Sequence, residues 1–225
     1  MDKDVRENYI EAGKVIRKAR QKARDVAEPG VNLKVIANSV EEMIREEGLE
    51  PAFPVNLSIN EEAAHYSPGV KEKRSLKLDD VLKIDIGAHS NGYIADTALT
   101  VNPSGKRQEM IEAVEEVLEK ALDFVEPGKT VGEFGKYVEK QVPDDYEVVR
   151  NLTGHYLDKH TQHAGVSIPN YANGSEHVFE VGDAFAIEPF LTDGSGKIKN
   201  GASGNIYKLE RDTSVRGRSE IKLMS

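Results

Sequence analysis

The sequence repeats part of itself after 98 residues, so that residues 23–41 match residues 121–139. Seven of the nineteen positions are identical, where chance would give about one; a repeat unit of this kind is a signature of duplicated architecture. The identical residues of the first copy are Ala23, Asp25, Glu28, Pro29, Gly30, Val40 and Glu41. The repeat predicts two similar halves related by an approximate two-fold axis, with residues of both halves converging near that axis.

The same offset also aligns histidines and acidic residues, which can ligate metals or transfer protons. His65 falls on His163, and with a five-residue adjustment residues 80–85 fall on residues 183–188, which makes Asp85 and Glu188 equivalent. The alternative is that Glu-Pro-Gly is only a frequent helix stop and that the remaining matches are coincidence. Because two histidines and two acids follow the repeat as well, duplication is the favoured interpretation.

Apolar residues at three- and four-residue spacing predict two helices in each half. The first ends at Pro29-Gly30, and the second, over residues 33–43, closes at Gly48 with a left-handed cap. In the second copy one stripe stops at Pro127-Gly128 and another begins at Val131. With 225 residues and 38% hydrophobic content, the chain is expected to build one compact domain.

The composition limits the kinds of site and partner. The chain has no Cys, which excludes disulfides and thiolate metal sites and makes the reducing cytoplasm the expected compartment. A net charge of −9 disfavours nucleic acid as a partner, and the basic stretch at residues 14–22 is interpreted as a solvated helix face rather than a binding patch. No signal peptide and no apolar run of about 20 residues is found, so membrane association is not expected.

Two strand-like runs, residues 81–87 and 92–101, predict an antiparallel hairpin. A two-residue turn places Asp85 opposite Ala98 with Asp96 diagonal to it, whereas a four-residue loop places Asp85 opposite Asp96. Both registers put the two carboxylates on one face, because side chains alternate along a strand. Two like charges there require a cation, a shared proton or full solvation, and a divalent metal is the simplest of these. An exposed polar face is the alternative.

Three of the six histidines lie close together, at His155, His160 and His163. Imidazole is both a common metal ligand and a general acid or base, so each is a candidate, although a satisfied hydrogen-bonding role is the alternative for any one of them. His160, beside Lys159, is expected at the surface. Glu188 lies in a short apolar run of strand length, where an unpaired charge costs several kcal/mol, so it should have a partner.

Carboxylates and imidazole without sulfur suit Mn, Fe, Co or Zn as the metal. Two such ions bridged by carboxylates generate hydroxide at neutral pH and polarise a carbonyl. This is the chemistry of aminopeptidases.

A series of motifs runs along the chain in a characteristic order: residues 51–60, Ala64-His65-Tyr66, Lys83-Ile84-Asp85-Ile86-Gly87, Ile94-Ala95-Asp96-Thr97, Thr153-Gly154-His155, His163-Ala164-Gly165 and Ile187-Glu188-Pro189. In residues, order and spacing these motifs resemble the type 2 methionine aminopeptidases of archaeal style, from the first helix to about Thr192. The resemblance implies an α+β pita-bread (creatinase/aminopeptidase) fold, whose two pseudo-symmetric halves agree with the repeat.

By the resemblance, Asp85, Asp96, His155 and Glu188 are expected to ligate two divalent metal ions (Co, Mn, Fe or Zn), with Asp96 bridging them. Glu188 is expected to act in proton transfer as well.

The positions of His65 and His163 are those that contact substrate around the scissile bond in the family. The implied reaction is hydrolytic removal of the N-terminal methionine of nascent proteins, in which a hydroxide held by both metals attacks the scissile carbonyl. The protein is expected to be a cytoplasmic monomer.

Family members continue through an inserted helical subdomain and return to a core strand with a fifth ligand, a Glu that bridges both metals. Residues 1–192 are therefore expected to form an incomplete catalytic domain that lacks its last strands, and residues 193–225 the truncated start of the insertion. Glu210 and Glu220 lie in charged contexts that do not resemble the missing strand. One metal would keep three ligands and the other only the two aspartates, so the second site is expected to be weak.

Two rival interpretations remain at this point. A non-catalytic pita-bread binding protein, or an inactive fragment, would share the fold, although four retained ligand positions and both substrate-contacting histidines speak against it. Prolidase and aminopeptidase P share fold and metal chemistry, but usually carry an additional N-terminal domain. The short helix pair before Phe53 and the stretch at residues 163–169 favour the methionine enzyme.

Overall fold

The computed structural model describes residues 1–201 and 204–206, so Glu210, Glu220 and most of the expected insertion lie outside the described residues. The elements of the first half are α1 (Lys3–Val26), α2 (Leu33–Glu46), β1 (Glu50–Ile59), β2 (Leu82–Ser90) and β3 (Tyr93–Val101). Those of the second half are α3 (Gln108–Phe124), α4 (Val131–Glu139), β4 (Glu147–Val148), β5 (Gly154–Tyr156), β6 (Ser167–Ile168), β7 (Phe185–Ala186) and β8 (Leu191–Thr192).

In the first half, two helices pack on one three-stranded antiparallel sheet of order β1-β2-β3. The predicted apolar stripes are buried in this interface: Leu33, Ile36 and Val40 of α2 are completely inaccessible to solvent. Helix α1 begins earlier than its apolar stripe, at Lys3. The left-handed cap predicted at Gly48 is confirmed by its φ of 83°.

In the second half, α3 and α4 pack against strands of only two or three residues, arranged as β6-β5-β7 and β4-β8. A reciprocal pair of hydrogen bonds between Thr130 and Glu133 caps the start of α4. The core of this half contains Phe134 and Phe179, whose rings meet edge to face.

Each half contains an equivalent set of backbone hydrogen bonds as well as an equivalent pair of helices, which confirms the predicted duplication. In each half, the turn between the two helices and the first residue of the second helix donate backbone hydrogen bonds to the segment that leads into β2 or β7. Gly30 N–H to Leu76 O matches Gly128 N–H to Phe179 O, and Leu33 N–H to Arg74 O matches Val131 N–H to His177 O. The donors are 98 residues apart and the acceptors 103. The five-residue adjustment predicted from the sequence is therefore present in the structure.

Among the described residues, no helix combines the length and the apolar character that crossing a membrane requires.

Candidate metal centre

The β2–β3 hairpin places two aspartates on one face of the first sheet. Asp85 pairs with Ala98 and Gly87 pairs with Asp96, so the two carboxylates are diagonal neighbours, as the two-residue turn requires. Asn91 and Gly92 occupy that turn with φ values of 51° and 90°, the conformation that suits the twist of a tight hairpin. The register that the sequence left open is thus decided by the backbone of the turn.

The second half contributes an imidazole and a third carboxylate to the same place. His155 lies on β5, and its Nε2 is 2.8 Å from Glu188 Oε1 and 3.7 Å from Asp96 Oδ2. Asp96, His155 and Glu188 each offer a ligand atom, and these atoms lie within 4.8 Å of one another. Such a group of one nitrogen and two carboxylate oxygens matches the donor set of divalent transition metals.

Glu188 was expected within a strand, but it follows β7, which ends at Ala186. Pro189 comes next and has no N–H to donate to a strand ladder, so regular pairing stops before this point. The backbone oxygen of Glu188 instead accepts a hydrogen bond of 2.8 Å from Asn170 Nδ2, which holds the segment beside the site.

The acidic side chains raise the pKa values of their neighbours in the cluster. Burial, and then the neighbouring Asp96 and Glu188, raise the pKa of Asp85 well above its usual value. Burial and the facing Glu188 raise the pKa of Asp96 to about 6. Each carboxylate is therefore costly to ionise without a positive charge nearby, and a bound cation would remove that cost.

His155 is oriented for ligation by its own surroundings. Burial is the largest single influence and lowers the pKa of His155. The hydrogen bond that the protonated ring makes to Glu188, the charges of Glu188 and Asp96, and the backbone of Tyr156 together outweigh burial, so the net pKa is raised. Nδ1 lies 3.3 Å from the backbone oxygen of Tyr156, which favours the tautomer protonated at Nδ1. The lone pair of Nε2 is then directed at the carboxylates, as in a metal-ligating histidine. The residues present fit a divalent metal.

The other predicted histidines fall into three different settings. The ring of His163 meets the ring of His155 edge to face, with centroids 4.4 Å apart, so it adjoins the cluster. His65 is exposed on the loop after β1 with a φ of 68°, and it is not a member of the ligand group. His160 is exposed, as expected, and its ring packs near His89 at the tip of the hairpin.

Two polar neighbours of the site were missed by reasoning from the sequence. Gln162 donates a hydrogen bond of 3.0 Å to Asp96 Oδ2. Asn56 is buried and lies directly across from Asp85 on β1, and its Oδ1 has no hydrogen-bond partner among the described residues. Only the adjacency of Gln162 to the histidine motif, and of Asn56 to the end of the first strand, could have signalled them.

A cavity of about 580 Å³ borders Asp96 on the side of α1. It lies between Ile94 to Thr97 of β3 and Phe185 of β7. In the part of the chain that the structure describes, β3 pairs only with β2, and β7 pairs only with β5. The space between these two strand edges is therefore adjacent to the proposed ligands.

Comparison with known proteins gives the same picture from independent data. The model of the metallopeptidase family M24 matches residues 7–218. A methionine aminopeptidase of Methanocaldococcus jannaschii is 43% identical over 219 residues, which cover 97% of this chain and 74% of that protein.

Solved structures with the same fold include a methionine aminopeptidase from Thermotoga maritima, with a TM-score of 0.79 and 28% identity, covering 87% of this chain and 82% of that one. A prolidase from Pyrococcus furiosus matches with a TM-score of 0.70 and 24% identity, over 84% of this chain and 56% of that one. At that identity the prolidase supports the fold alone.

Proposed function

This chain belongs to metallopeptidase family M24, and methionine aminopeptidases are 43% and 44% identical to it over 219 and 212 residues. We propose that it removes the N-terminal methionine of nascent proteins by metal-dependent hydrolysis. The resemblance seen in the sequence motifs is confirmed by these relatives, as is the pita-bread fold by the solved neighbours. The observation that carries the proposal is the convergence of Asp96, His155 and Glu188 from both halves of the fold.

The family uses divalent metal, and the finer proposal concerns the number of ions and their ligands. We propose two ions, one held by Asp96, His155 and Glu188 and the other by Asp85 and Asp96, so that Asp96 bridges them. The oxygen and nitrogen donors support Co, Mn, Fe or Zn. Bound metal of this kind polarises a peptide carbonyl and makes hydroxide available near neutral pH.

The chain's own residues would handle the protons of hydrolysis. Glu188 Oε1 lies 2.8 Å from His155 Nε2, and this carboxylate is the proposed acceptor of the proton from the attacking water. The same proton would pass to the amine nitrogen as the carbon–nitrogen bond breaks, so that free methionine and a new amino terminus are formed. His163, beside His155, and His65 are the proposed contacts of the substrate around the scissile bond.

We further propose that residues 1–192 form the catalytic domain and that residues 193–225 begin a helical insertion. The last described strand, β8, ends at Thr192, which supports this boundary. The cavity between the edges of β3 and β7 is the proposed place of the strand that carries the fifth ligand in the family. We also propose that the protein is a cytoplasmic monomer; the sequence without Cys supports the cytoplasmic compartment.

The test is release of free methionine from a Met-Ala-Ser peptide by the purified chain, with and without added Mn²⁺ or Co²⁺. Asp96→Ala and His163→Ala should each abolish metal-dependent release. The matched controls are Asp79→Ala and His177→Ala, which change an exposed acid and an exposed histidine away from the cluster and should leave release unchanged.

A Met-Pro dipeptide and a Met-Ala-Ser peptide separate the methionine enzyme from the prolidase alternative. Cleavage of the dipeptide alone would favour prolidase. A folded, metal-loaded chain that cleaves neither would favour the non-catalytic binding protein or inactive fragment. Release that persists in Asp96→Ala would contradict the proposed site.

A further inference from the structure

Gln162 places a neutral hydrogen-bond donor against the most central carboxylate of the cluster. Its Nε2 lies 3.0 Å from Asp96 Oδ2, although the two residues are 66 positions apart in the chain. The Asp96 side chain is only 6% exposed, so water cannot easily replace this donor. The orientation of a buried carboxylate is set by such partners.

The backbone around Gln162 is fixed to the hairpin that carries Asp96. His160 N–H donates to Gly92 O at the hairpin turn, with a distance of 2.8 Å. Asp158 and Thr161 exchange backbone hydrogen bonds, which close the loop immediately before Gln162. These backbone hydrogen bonds therefore fix the position of Gln162 relative to the hairpin that carries Asp96.

The chemistry of the donor suits a site for a cation. Asp96 already faces Asp85 and Glu188, so its carboxylate needs a donor to fix its orientation. Lys or Arg would supply one, but their positive charge would repel an incoming cation. A Gln amide supplies N–H without charge, and each carboxylate oxygen has a second lone pair that remains available for a metal.

We propose that Gln162 is a positioning residue, which holds the Asp96 carboxylate in the orientation that receives a divalent cation between Asp96, His155 and Glu188. This inference rests on the proposed metal-dependent function and adds to it a determinant of metal affinity. Hydrogen-bond partners of metal ligands typically change affinity by about 10- to 100-fold when removed.

The experiment compares Gln162→Met with the unmodified 225-residue chain by calorimetric titration of the metal-free proteins with Co²⁺. Methionine keeps the length of the side chain but has no N–H. The matched control is Gln21→Met, because Gln21 makes the same kind of hydrogen bond to Asp25, at 2.8 Å, on the exposed face of α1. Binding of Co²⁺ should weaken about 10-fold or more in Gln162→Met only. The visible spectrum of bound Co²⁺ should change in the same variant, because it reports the ligand geometry.

Equal Co²⁺ affinities and spectra in Gln162→Met and the unmodified chain would overturn the positioning role while leaving the proposed function intact. Equal weakening in Gln21→Met would overturn it too. Failure of the unmodified chain to bind Co²⁺ would instead overturn the proposed function and this inference with it.

If Gln162→Met does not fold, the side-chain amide resonances of Gln162 decide the matter. They should shift between the unmodified metal-free chain and Asp96→Ala. Identical positions in the two proteins would refute the hydrogen bond.

Discussion

The two halves of the molecule share one plan but differ in how much regular structure they contain. The first half has strands of nine and ten residues and a core of 18 buried residues. The second, in the part that the structure describes, has strands of two or three residues and a core of seven buried residues. The long strands β2 and β3 carry Asp85 and Asp96, whereas in the second half the short strand β5 and irregular segments bring His155, His163 and Glu188 towards them.

The comparison also shows where the symmetry is broken. Asp85 matches Glu188, and His65 matches His163, so both halves keep an acid and a histidine. In the strand register, however, His155, which pairs with Ala186, corresponds to Ser58, which pairs with Lys83 and is buried. The second half therefore has an imidazole that faces the carboxylates of both halves where the first half has a serine.

His155→Leu removes this imidazole and should have the largest effect on function. Removal of its Nε2 leaves Asp96 and Glu188 without their nitrogen partner. Because loss of a mere hydrogen-bond partner of a ligand costs up to about 100-fold in metal affinity or activity, methionine release should fall by more than about 100-fold. Peptide release and Co²⁺ affinity are the measurements.

His177→Leu is the matched control, since His177 is exposed in the same half and lies outside the ligand group. Its methionine release should stay close to that of the unmodified chain. If a folded His155→Leu protein released methionine at an undiminished rate, the imidazole of His155 would not be required for catalysis.

The facing charges of the two halves should make the metal-free protein sensitive to pH. Burial and Glu188 raise the pKa of Asp96 to about 6, from an ordinary value of 3.8. Between these values the folded protein holds a proton that the unfolded chain has released, so this contribution to stability is present below about pH 4 and is lost as pH rises through about 6. This contribution to the free energy of unfolding is up to about 3 kcal/mol, because each unit of pKa shift corresponds to about 1.4 kcal/mol.

The measurement is urea unfolding of the metal-free protein and of Asp96→Asn at several pH values. Other acids with lowered pKa values produce a slope of the opposite sign, and the difference between the two proteins removes their contribution. The stability advantage of the unmodified protein over Asp96→Asn should shrink from about pH 4 to pH 7. A constant difference would contradict the coupling between the halves. Added Co²⁺ should reverse the trend, because metal competes with protons for the same carboxylates.

The unequal cores can be compared with one substitution made at two equivalent positions. Val40 of α2 and Val138 of α4 are both fully buried and identical in the repeat. Val→Ala removes about two methyl groups, worth about 0.8 kcal/mol each, plus the cost of any cavity. The cost should be about 2–3 kcal/mol at Val40 and about 1–2 kcal/mol at Val138, because the smaller second core can relax around the gap. Equal losses on urea unfolding would show that both cores are equally rigid.

Much of the scaffold follows from the sequence because it depends on local patterns. The helix stops at Pro29-Gly30 and Pro127-Gly128, and the Asn91-Gly92 turn, each act within a few residues. Periodicity then places Asp85 and Asp96 on one face. The exact register was left open because two loop lengths satisfied the same pattern.

The remainder of the site depends on contacts between distant residues. The hydrogen bond from Gln162 to Asp96 joins a loop to strand β3 through one polar side chain, which produces no periodic signal. Asn56 lies opposite Asp85 only because β1 pairs with β2 in one particular register. The loss of regular pairing at Glu188 likewise arises from its neighbour Pro189 and from Asn170, not from apolar spacing.

The weakest link between the halves should be the ion pair from Arg24 of α1 to Glu115 of α3. Its closest atoms, Nη2 and Oε1, are 3.5 Å apart, and the side chains are 43% and 48% exposed. Exposed pairs contribute about 0.2–1 kcal/mol and are weakened further by salt, so Glu115→Ala should lower the free energy of unfolding by no more than this. Urea unfolding at low and high salt measures it, with Glu116→Ala, which breaks the pair to Lys120 within α3 alone, as the control. A loss well above 1 kcal/mol for Glu115→Ala, absent in Glu116→Ala, would mean that charge holds the halves in register, and not the shared ligand cluster and the hydrogen bonds from residues 160 and 162 to the hairpin.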